Sequence, residues 1–451
     1  MSVQWDYREH VDLSAALLKW LAVCLPLSLV VGSAVALFLW SLDRVTELQW
    51  HYPWLLYGLP LAGLGSGWVY QRWGGDCESG NNLIMEQIHE PGGGVPSRLA
   101  PLVLVGTLVT HLFGGSAGRE GTAVQMGGSF ASRLGRVLRL GKDDTRIMLM
   151  AGVAAGFGAV FGTPLTGAIF AVEVLAIGRL TYHAFIPCLL ASIGADQVCQ
   201  AWGIEHAHYP IRVPHELVVE NGTTRILAAG MLAKVAVAAV AFGLASVLFA
   251  ELTRGLQRFF RTAVVTPWLR PAVGGGLIIA LVWLLGERDY LGLGVAANPR
   301  DPTAVTIASS FQPGGAAWLS WWWKLLFTAI TVSSGFKGGE VTPLFFIGAT
   351  LGHTLGRLLG VPVDFLAGLG FVAVFAGATN TPLACTVMAI ELFAPHSPEL
   401  LSSGFMVYAA LACFLSYFLS GHSSIYHAQR IAVPKTTHSR RYQESQQELS
   451  E

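Results

Sequence analysis

Charged side chains are scarce in this chain. Asp, Glu, Lys and Arg make up 12% of its 451 residues, about half the share of an ordinary soluble domain. Positive charge is not in excess, since 28 Lys and Arg balance 28 Asp and Glu. No basic patch with interleaved aromatic residues is present, so a nucleic-acid partner is not expected. Hydrophobic residues account for 53% of the chain, which predicts a membrane protein.

Several other signals are missing. The six cysteines have no paired spacing, so we expect small packing residues rather than a disulfide framework. The segment "GGSAGREGT" lacks the Gly-Lys-Ser/Thr ending of a phosphate loop, which argues against nucleotide binding. His206, His208 and His215 could be drawn as a metal cluster, but their prolines and charges favour a loop, and we expect no metal and no cofactor. The first apolar run contains Lys19 and no prompt cleavage site, so we keep it in the mature fold.

Apolar runs fill nearly the whole length and leave no room for a regulatory soluble domain. We therefore expect one transmembrane domain over residues 1–434, with two related halves at about 13–200 and 222–430. Residues 435–451 form a short polar tail. Lys435, Arg440 and Arg441 in this tail place it in the cytoplasm by the positive-inside tendency.

Glycine, with 52 residues, repeatedly interrupts the apolar runs. Short, glycine-broken helices at membrane depth are tolerated only where the freed backbone groups face protein or a polar cavity. Glycine also permits close helix packing, and that alternative covers many of these positions.

The two halves resemble each other. The segment "GTPLTGAIFAVEVL" (162–175) returns as "NTPLACTVMAIELF" (380–393), so that Glu173 corresponds to Glu391. The segment "GREGTAVQMGGSFASRLGRVL" is similar to "GGEVTPLFFIGATLGHTLGRLLG", which places Glu120 opposite Glu340. Corresponding broken segments in two halves are the best sequence indication of a central binding site. The residues alone leave open whether the halves are parallel or inverted.

A glycine-rich turn that opens a helix leaves backbone amides unpaired, and these amides favour an anion. Glu120 occupies such a turn, where an anion would bind. If its side chain moves, it competes with the anion when ionised and leaves when protonated, which links anion passage to proton passage. The alternative is a structural carboxylate that pairs with Arg119 or accepts the first helix amides.

These residues resemble the CLC family of chloride channels and proton-coupled antiporters. The resemblance rests on "GREGT", "GGEVTP", the twin Thr-Pro-Leu helices that end in glutamate, and the late tyrosine in "GHSSIYHAQRI", and it runs from about residue 70 to residue 430. It implies an all-α integral membrane fold with inverted repeats, many tilted and broken transmembrane helices and one pore per subunit. It also implies a homodimer in the lipid bilayer and gives Glu120 the role of the gating glutamate.

Three departures from the family pattern are informative. Where chloride-handling members carry Gly-Ser-Gly-Ile-Pro, this chain has "GNNLI", with Asn81 at the serine position. Val174 stands where many chloride/proton exchangers carry a second glutamate, and Glu340 replaces an ordinary apolar residue. This combination resembles the fluoride-exporting bacterial branch. An asparagine amide offers two donors where a serine hydroxyl offers one, which suits a small and strongly hydrated ion.

The resemblance thus implies a set of site residues. Glu120 would be gate and proton carrier, and Glu340 a second carboxylate for proton movement or gating, its alternative being a structural carboxylate. The alternatives for Asn81 and Asn82 are helix caps, and tyrosine is ordinary near a membrane surface. The expected anion-binding residues are Asn81, Asn82, Gly118, Arg119, Gly121, Val341, Thr342 and Tyr426.

The resulting interpretation is a fluoride/proton antiporter of the bacterial inner membrane, with fluoride and protons as its substrates. A chloride/proton exchanger or a passive anion channel of the same fold is the main alternative. A membrane-embedded enzyme is a third hypothesis, but no nucleophile–base or metal constellation at a convincing spacing supports it.

Overall fold

The structure is a computed structural model that describes residues 7–207, 209–212, 214, 228–295 and 301–436. His208, His215 and the tail beyond residue 436 lie outside the described residues. The first half contains the helices α1 (Tyr7–His51), α2 (Leu59–Val69), α3 (Asn81–His89), α4 (Leu99–Leu112), α5 (Glu120–Val137), α6 (Lys142–Phe161), α7 (Pro164–Glu173) and α8 (Phe185–Ala201). The second half contains α9 (Ala229–Ala263), α10 (Arg270–Leu285), α11 (Ser320–Ser333), α12 (Val341–Leu359), α13 (Val363–Thr379), α14 (Pro382–Phe393), α15 (Glu399–Ser402) and α16 (Phe405–Leu419).

Strand structure in the described part is limited to one short pair. β1 (Ala176–Ile177) follows α7 and pairs in parallel with β2 (Arg430–Ile431), with Ala176 opposite Arg430. This pair ties the end of the chain to the first half, close to the loop that carries Tyr426.

Five helical segments in the described residues are long and apolar enough to cross a membrane, namely Tyr7–His51, Lys142–Phe161, Tyr182–Ala201, Ala229–Ala263 and Pro267–Leu285. Others are shorter, such as α7 with 10 residues and α14 with 12. Glycine and proline cause one of these breaks. α6 ends at Phe161, Gly162 adopts a left-handed conformation with φ +70°, and Pro164 opens α7. The broken helices expected from the glycine content are therefore present.

The centre of the molecule is formed by equivalent helices of the two halves. Every residue of α6 from Met148 to Phe161 is buried, and so is every residue of α13 from Asp364 to Thr379. Phe157 of α6 and Phe375 of α13 stack with ring centroids 6.3 Å apart.

Close glycine contacts fix each central helix against its neighbour, at corresponding places in the two halves. A Cβ on Gly127 of α5 would lie 2.1 Å from the carbonyl oxygen of Gly152 in α6. A Cβ on Gly348 of α12 would lie 2.0 Å from the carbonyl oxygen of Gly370 in α13. At these positions glycine permits backbone contact between helices, as small residues do in membrane proteins.

The equivalent helices α7 and α14 cap each other in opposite directions. Oε1 and Oε2 of Glu173, the last residue of α7, accept hydrogen bonds from the amides of Leu383 (3.0 Å) and Ala384 (2.8 Å) at the start of α14. The Glu391 carboxylate of α14 accepts them from the amides of Leu165 (2.9 Å) and Thr166 (2.7 Å) at the start of α7. The helices therefore run antiparallel. Each of the two glutamates caps the partner helix.

Candidate anion and proton site

Three helix N-termini and one loop meet near the centre of the fold. α5 begins at Glu120, α12 begins just after Glu340, α3 begins at Asn81, and the loop after α16 carries Tyr426. Helix N-termini direct free amides and positive partial charge at the point where they converge. Such a point is suited to a small anion without a lysine at the centre.

The two glycine turns predicted from the repeat pair directly with each other. The Gly118 amide donates to the Gly339 carbonyl oxygen at 2.6 Å, and the Gly339 amide donates to the Gly118 carbonyl oxygen at 2.7 Å, in antiparallel register. Only glycine fits here. Gly338 has φ +154°, and a Cβ on it would lie 2.4 Å from the Cβ of Ala117. The pairing sets the starts of α5 and α12 side by side.

The Glu120 carboxylate lies across these two helix starts and is 1% exposed. Its Oε2 accepts hydrogen bonds from the amides of Thr342 (3.0 Å) and Arg119 (3.1 Å), and the Thr342 hydroxyl contacts its Oε1. The Arg119 Nε lies 3.8 Å from Oε1, a loose ion pair. The carboxylate therefore sits at the N-terminus of α12, where a small anion would otherwise be stabilised.

Gly118 and Gly121 leave the space that this arrangement needs. A Cβ on Gly118 would lie 2.8 Å from Oε2 of Glu120, and a Cβ on Gly121 would lie 3.1 Å from the Cα of Gly339. Val341 is the first residue of α12 and is buried, so its backbone contributes to the same helix start. These residues form the backbone part of the site.

Glu340 precedes α12 as its N-cap residue, but its side chain does not cap the helix. The side chain is half-buried and makes no hydrogen bond or ion pair within the part of the chain that the structure describes. Glu340 and Glu120 are both electrostatic neighbours of Tyr426. Two carboxylates therefore lie in the neighbourhood of the Tyr426 phenol, near the start of α12.

Asn81, the first residue of α3, points toward the start of α5. A Cβ on Gly121 would lie 3.2 Å from its Nδ2, and its Oδ1 is buried without a hydrogen-bond partner among the described residues. Asn81 and Tyr426 line one small cavity of about 20 Å³, whose other walls are apolar. The lining residues are Asn81, Ile84, Met85, Ile88, Val124, Val153, Phe170, Ala171, Val174, Leu175 and Tyr426. A cavity of this size holds about one water-sized particle.

Asn82 and Tyr426 are joined through the backbone of the final loop. The Asn82 Oδ1 accepts a hydrogen bond from the Ala428 amide at 3.1 Å. Tyr426 is 8% exposed, and its hydroxyl has no hydrogen-bond partner in the described ranges. The oxygen of Asn82 thus holds the loop, whereas the Tyr426 hydroxyl remains free to donate.

A polar clasp, formed by Gln429, Asn380 and Lys435, fixes the same loop and was missed by the sequence reasoning. Gln429 Nε2 donates to the carbonyl oxygens of Val174 and Thr379, both at 2.8 Å. Asn380 Nδ2 donates to the Gln429 Oε1 at 2.9 Å, and Lys435 Nζ donates to the Asn380 Oδ1 at 2.6 Å. The only sequence signal was Asn380, which replaces the glycine of the first repeat.

An ion pair ties the far end of α3 to β2. Arg430 donates to the Glu90 carboxylate, and this hydrogen bond and charge hold the pKa of the Glu90 carboxyl below its usual range. Because Asn81 lies at the other end of α3, the ion pair and the Asn82 contact together orient the helix that carries Asn81.

The histidine segment gives no support to a metal site. His206 lies 4.0 Å from Asp196, while His208 and His215 are outside the described residues. Within the described ranges, no group of three His, Cys, Asp or Glu side chains could hold a metal ion.

Comparisons with known proteins agree with this architecture. The family model described as "Voltage gated chloride channel" matches residues 62–421. A "Chloride/fluoride channel protein" from Pseudomonas syringae pv. tomato is 48% identical over 435 residues, which cover 95% of this chain and 90% of that relative.

Two solved structures also match. The crystal structure of a CLC-type fluoride/proton antiporter is 33% identical, with a TM-score of 0.82, and the match covers 95% of this chain and 100% of that chain. A slow cyanobacterial Cl⁻/H⁺ antiporter is 19% identical, with a TM-score of 0.72 and coverage of 89% of this chain and 94% of that chain, which is a likeness in fold. These matches confirm the fold expected from the motifs.

Proposed function

Because the chain belongs to the voltage gated chloride channel family, we propose that it is a fluoride/proton antiporter that exports fluoride and takes up protons. The observation that carries the proposal is the position of the Glu120 carboxylate. It accepts the Thr342 amide at the start of α12 and is almost fully buried, so it occupies the place of an anion.

Competition between this carboxylate and the anion couples the two fluxes. Ionised Glu120 fills the helix start and blocks passage. Protonation removes its charge and weakens the hydrogen bonds that it accepts, since bonds to charged groups are about twice as strong as neutral ones. The side chain then leaves, and a fluoride ion takes its place with the same donors. Each passage of the anion therefore requires a proton on Glu120.

The donors around the site suit a small anion. The Asn81 amide, the Thr342 hydroxyl and the Tyr426 hydroxyl supply side-chain donors, and the backbone amides at 119–121 and 341–342 supply the rest. Fluoride holds its water tightly, so it enters only where good donors replace that water. The small cavity beside Asn81 and Tyr426 has room for about one water-sized particle. Asn82 contributes through the loop that it holds.

Glu340 is the second carboxylate in this proposal. It lies half-buried at the start of α12 with no hydrogen-bond partner in the described part of the chain, and an intramembrane carboxylate is a candidate for proton movement. We assign it the transfer of protons away from Glu120 toward the cytoplasm, or the gating of that step.

We place the protein in the bacterial inner membrane with its tail inside. The N-terminal part of α1 contacts α6 through the Lys19–Asp144 ion pair of 2.6 Å. Asp43 lies 24 residues further along α1, or roughly 36 Å at 1.5 Å per residue. Arg430 lies near the Lys19 end, because it pairs with Glu90 next to His89, and Arg146 of α6 donates to the His89 carbonyl oxygen. The Asp43 end therefore faces outward.

A homodimer completes the proposal, with one pore in each subunit. Leu165 of α7 and Leu383 of α14 occupy equivalent positions and are 38% and 37% exposed. We place the contact with a second copy at these two exposed leucines. Disulfide trapping of a Leu383→Cys variant in membranes tests this contact. A chain that stays monomeric in membranes would contradict the proposed homodimer.

A chloride/proton exchanger or a passive anion channel of the same family is the second candidate. Membership of the family is as compatible with this second candidate as with a fluoride/proton antiporter, whereas Asn81 and Glu340 favour fluoride as the anion.

Ion flux from proteoliposomes separates these functions. Vesicles are loaded with fluoride or chloride, and anion efflux and internal pH are followed together. We expect fluoride efflux to drive proton uptake against a gradient and chloride efflux to be much slower. Equal rates for the two anions would refute fluoride selectivity, and fluoride efflux without uphill proton movement would identify a channel.

Two variants then test the carboxylates in the same assay. Glu120→Gln should abolish proton coupling because the glutamine amide, unlike the carboxylate, does not take up or release a proton. Glu340→Gln should lower proton flux while the protein remains folded. Wild-type coupling in Glu120→Gln would remove the gate assignment, and wild-type proton flux in Glu340→Gln would return Glu340 to a structural role.

A further inference from the structure

A second, larger cavity lies at the outward end of the fold. This outer cavity has a volume of about 220 Å³ and is lined by the end of α1, the end of α4, Arg119 and residues within 288–295 and 301–306. Its titratable and charged lining groups are Asp43, His111, Arg119, Arg288, Asp289 and Asp301. The Glu120 carboxylate is not among the lining groups. Arg119, whose Nε lies 3.8 Å from the Glu120 Oε1, stands between this cavity and the gate.

His111, in the last turn of α4, is the buried titratable group between the cavity and the gate. It is 3% exposed; its ring approaches the Gly118 backbone as a polar neighbour, but neither Nδ1 nor Nε2 makes a hydrogen bond of normal geometry in the described part of the protein. An unpartnered buried polar group costs about 1–3 kcal/mol. Such a group in a folded protein therefore needs an explanation.

The ring of His111 also lies beside the turn that carries the gate. It lies beside the Gly118 backbone, and a Cβ on Gly118 would lie 2.8 Å from the Oε2 of Glu120. One backbone turn therefore separates the imidazole from the carboxylate. The ring contacts the outer cavity on one side and the Glu120 turn on the other.

The charges around the ring come from several elements. Arg119 and Lys324 are its positive neighbours. Lys324 is fully buried in α11 and donates from Nζ to the carbonyl oxygens of Gly292 (2.7 Å) and Tyr290 (3.2 Å). Asp43, Asp289 and Asp301 lie along the cavity with Arg288. The carboxylates attract protons into the cavity, whereas Arg119 and Lys324 repel a positive ring, so a proton does not remain on His111.

We propose that His111 relays protons between the outer cavity and Glu120. The relay rests on the proton coupling proposed above. A neutral imidazole accepts a proton from water in the outer cavity at one ring nitrogen, and the other ring nitrogen releases its proton to the Glu120 carboxylate. The products are neutral glutamic acid and neutral imidazole in its other tautomer. Only protons move, and the reverse sequence returns a proton to the outside.

The test compares His111→Gln with the wild type in fluoride-loaded proteoliposomes, with fluoride efflux and proton uptake recorded together. Glutamine keeps polar donors in place but carries no proton. We expect both fluxes to fall by about tenfold or more, since positioned proton transfer contributes about 10²–10⁴-fold. His353→Gln is the matched control. His353 is a fully buried histidine of α12 that contacts the Ser310 carbonyl oxygen and is outside the outer cavity, so its coupled flux should stay near wild type.

Two further measurements distinguish a relay from a structural role. In a Glu120→Gln background, which needs no proton, adding His111→Gln should leave fluoride efflux unchanged. In a His111→Ala variant, imidazole in the outside buffer should restore coupled flux. A further loss of fluoride efflux in the double variant, or no rescue by imidazole, would overturn the relay. So would wild-type coupled flux in His111→Gln.

The outcome for the wild type separates this inference from the proposed function. If wild-type vesicles move fluoride without protons, both proposals fail. If they couple the two fluxes and His111→Gln does so at the same rate, only the relay fails.

Discussion

Gly118→Ala is the substitution that most directly tests whether the space beside Glu120 holds the closed gate. A Cβ at this position would lie 2.8 Å from the Glu120 Oε2, 2.9 Å from the Pro343 Cδ and 3.1 Å from the Gly339 carbonyl oxygen. The Pro343 ring and the Gly339 backbone are fixed by α12 and by the glycine pairing. The Glu120 side chain is the flexible partner, so it is the group that moves.

The size of the effect follows from the cost of overpacking. An inserted methyl group in a well-packed site costs about 1–3 kcal/mol, and about 1.4 kcal/mol corresponds to a factor of ten in an equilibrium. The occupancy of the site by the ionised carboxylate should therefore fall by about 5-fold to 150-fold. We expect passive fluoride efflux to rise and the number of protons taken up per fluoride to fall.

The assay is fluoride efflux with simultaneous internal pH, together with thermal unfolding in detergent. Gly135→Ala in the same helix is the control, because a Cβ there would meet no atom closer than 3.8 Å. It should couple as the wild type does. If Gly118→Ala also kept wild-type coupling and wild-type thermal stability, the argument that this glycine makes room for the carboxylate would be refuted.

Three further predictions concern the scaffold and the final loop. Glu391→Gln should lower the free energy of unfolding by about 1–3 kcal/mol, because it weakens charge-assisted bonds to two helix amides; thermal unfolding in detergent measures this, and Glu173→Gln should have a similar effect if the two caps are equivalent. Gly348→Ala should prevent folding, since its Cβ would lie 2.0 Å from the Gly370 carbonyl oxygen, whereas Gly276→Ala meets no neighbour within 4 Å and should be purified at normal yield. Gln429→Ala should reduce the affinity for fluoride through displacement of Tyr426, with a smaller effect on proton coupling than Glu120→Gln; unchanged affinity in binding titrations would detach the clasp from the site.

Most of the structure that could be predicted from the sequence was predicted from the internal repeat. Corresponding glutamates and glycine turns indicated a central site, and the paired turns at Gly118 and Gly339 lie where that argument placed them. The orientation of the halves was not predictable from the residues, because parallel and inverted repeats give the same pattern in the sequence. The family resemblance implied it, and the reciprocal hydrogen bonds of Glu173 and Glu391 display it.

Contacts between single residues that are far apart in the chain could not be predicted from the sequence. Asn82 was considered as an anion ligand beside Asn81, yet its Oδ1 accepts the Ala428 amide, a contact across 346 positions that no local pattern encodes. The same holds for Gln429, which lies after the last helix and binds carbonyl oxygens of both halves. His111 gave no signal because a single histidine in an apolar helix is compatible with simple packing.

The reciprocal caps also bear on how such a protein arises. A single half in a bilayer would leave its Thr-Pro-Leu amides unpaired and its terminal glutamate charged in hydrocarbon, and each defect is costly there. Two copies of one half, inserted in opposite directions, would correct both defects in one step. The caps therefore make each half incomplete without the other, so that neither half is expected to be stable in the membrane alone.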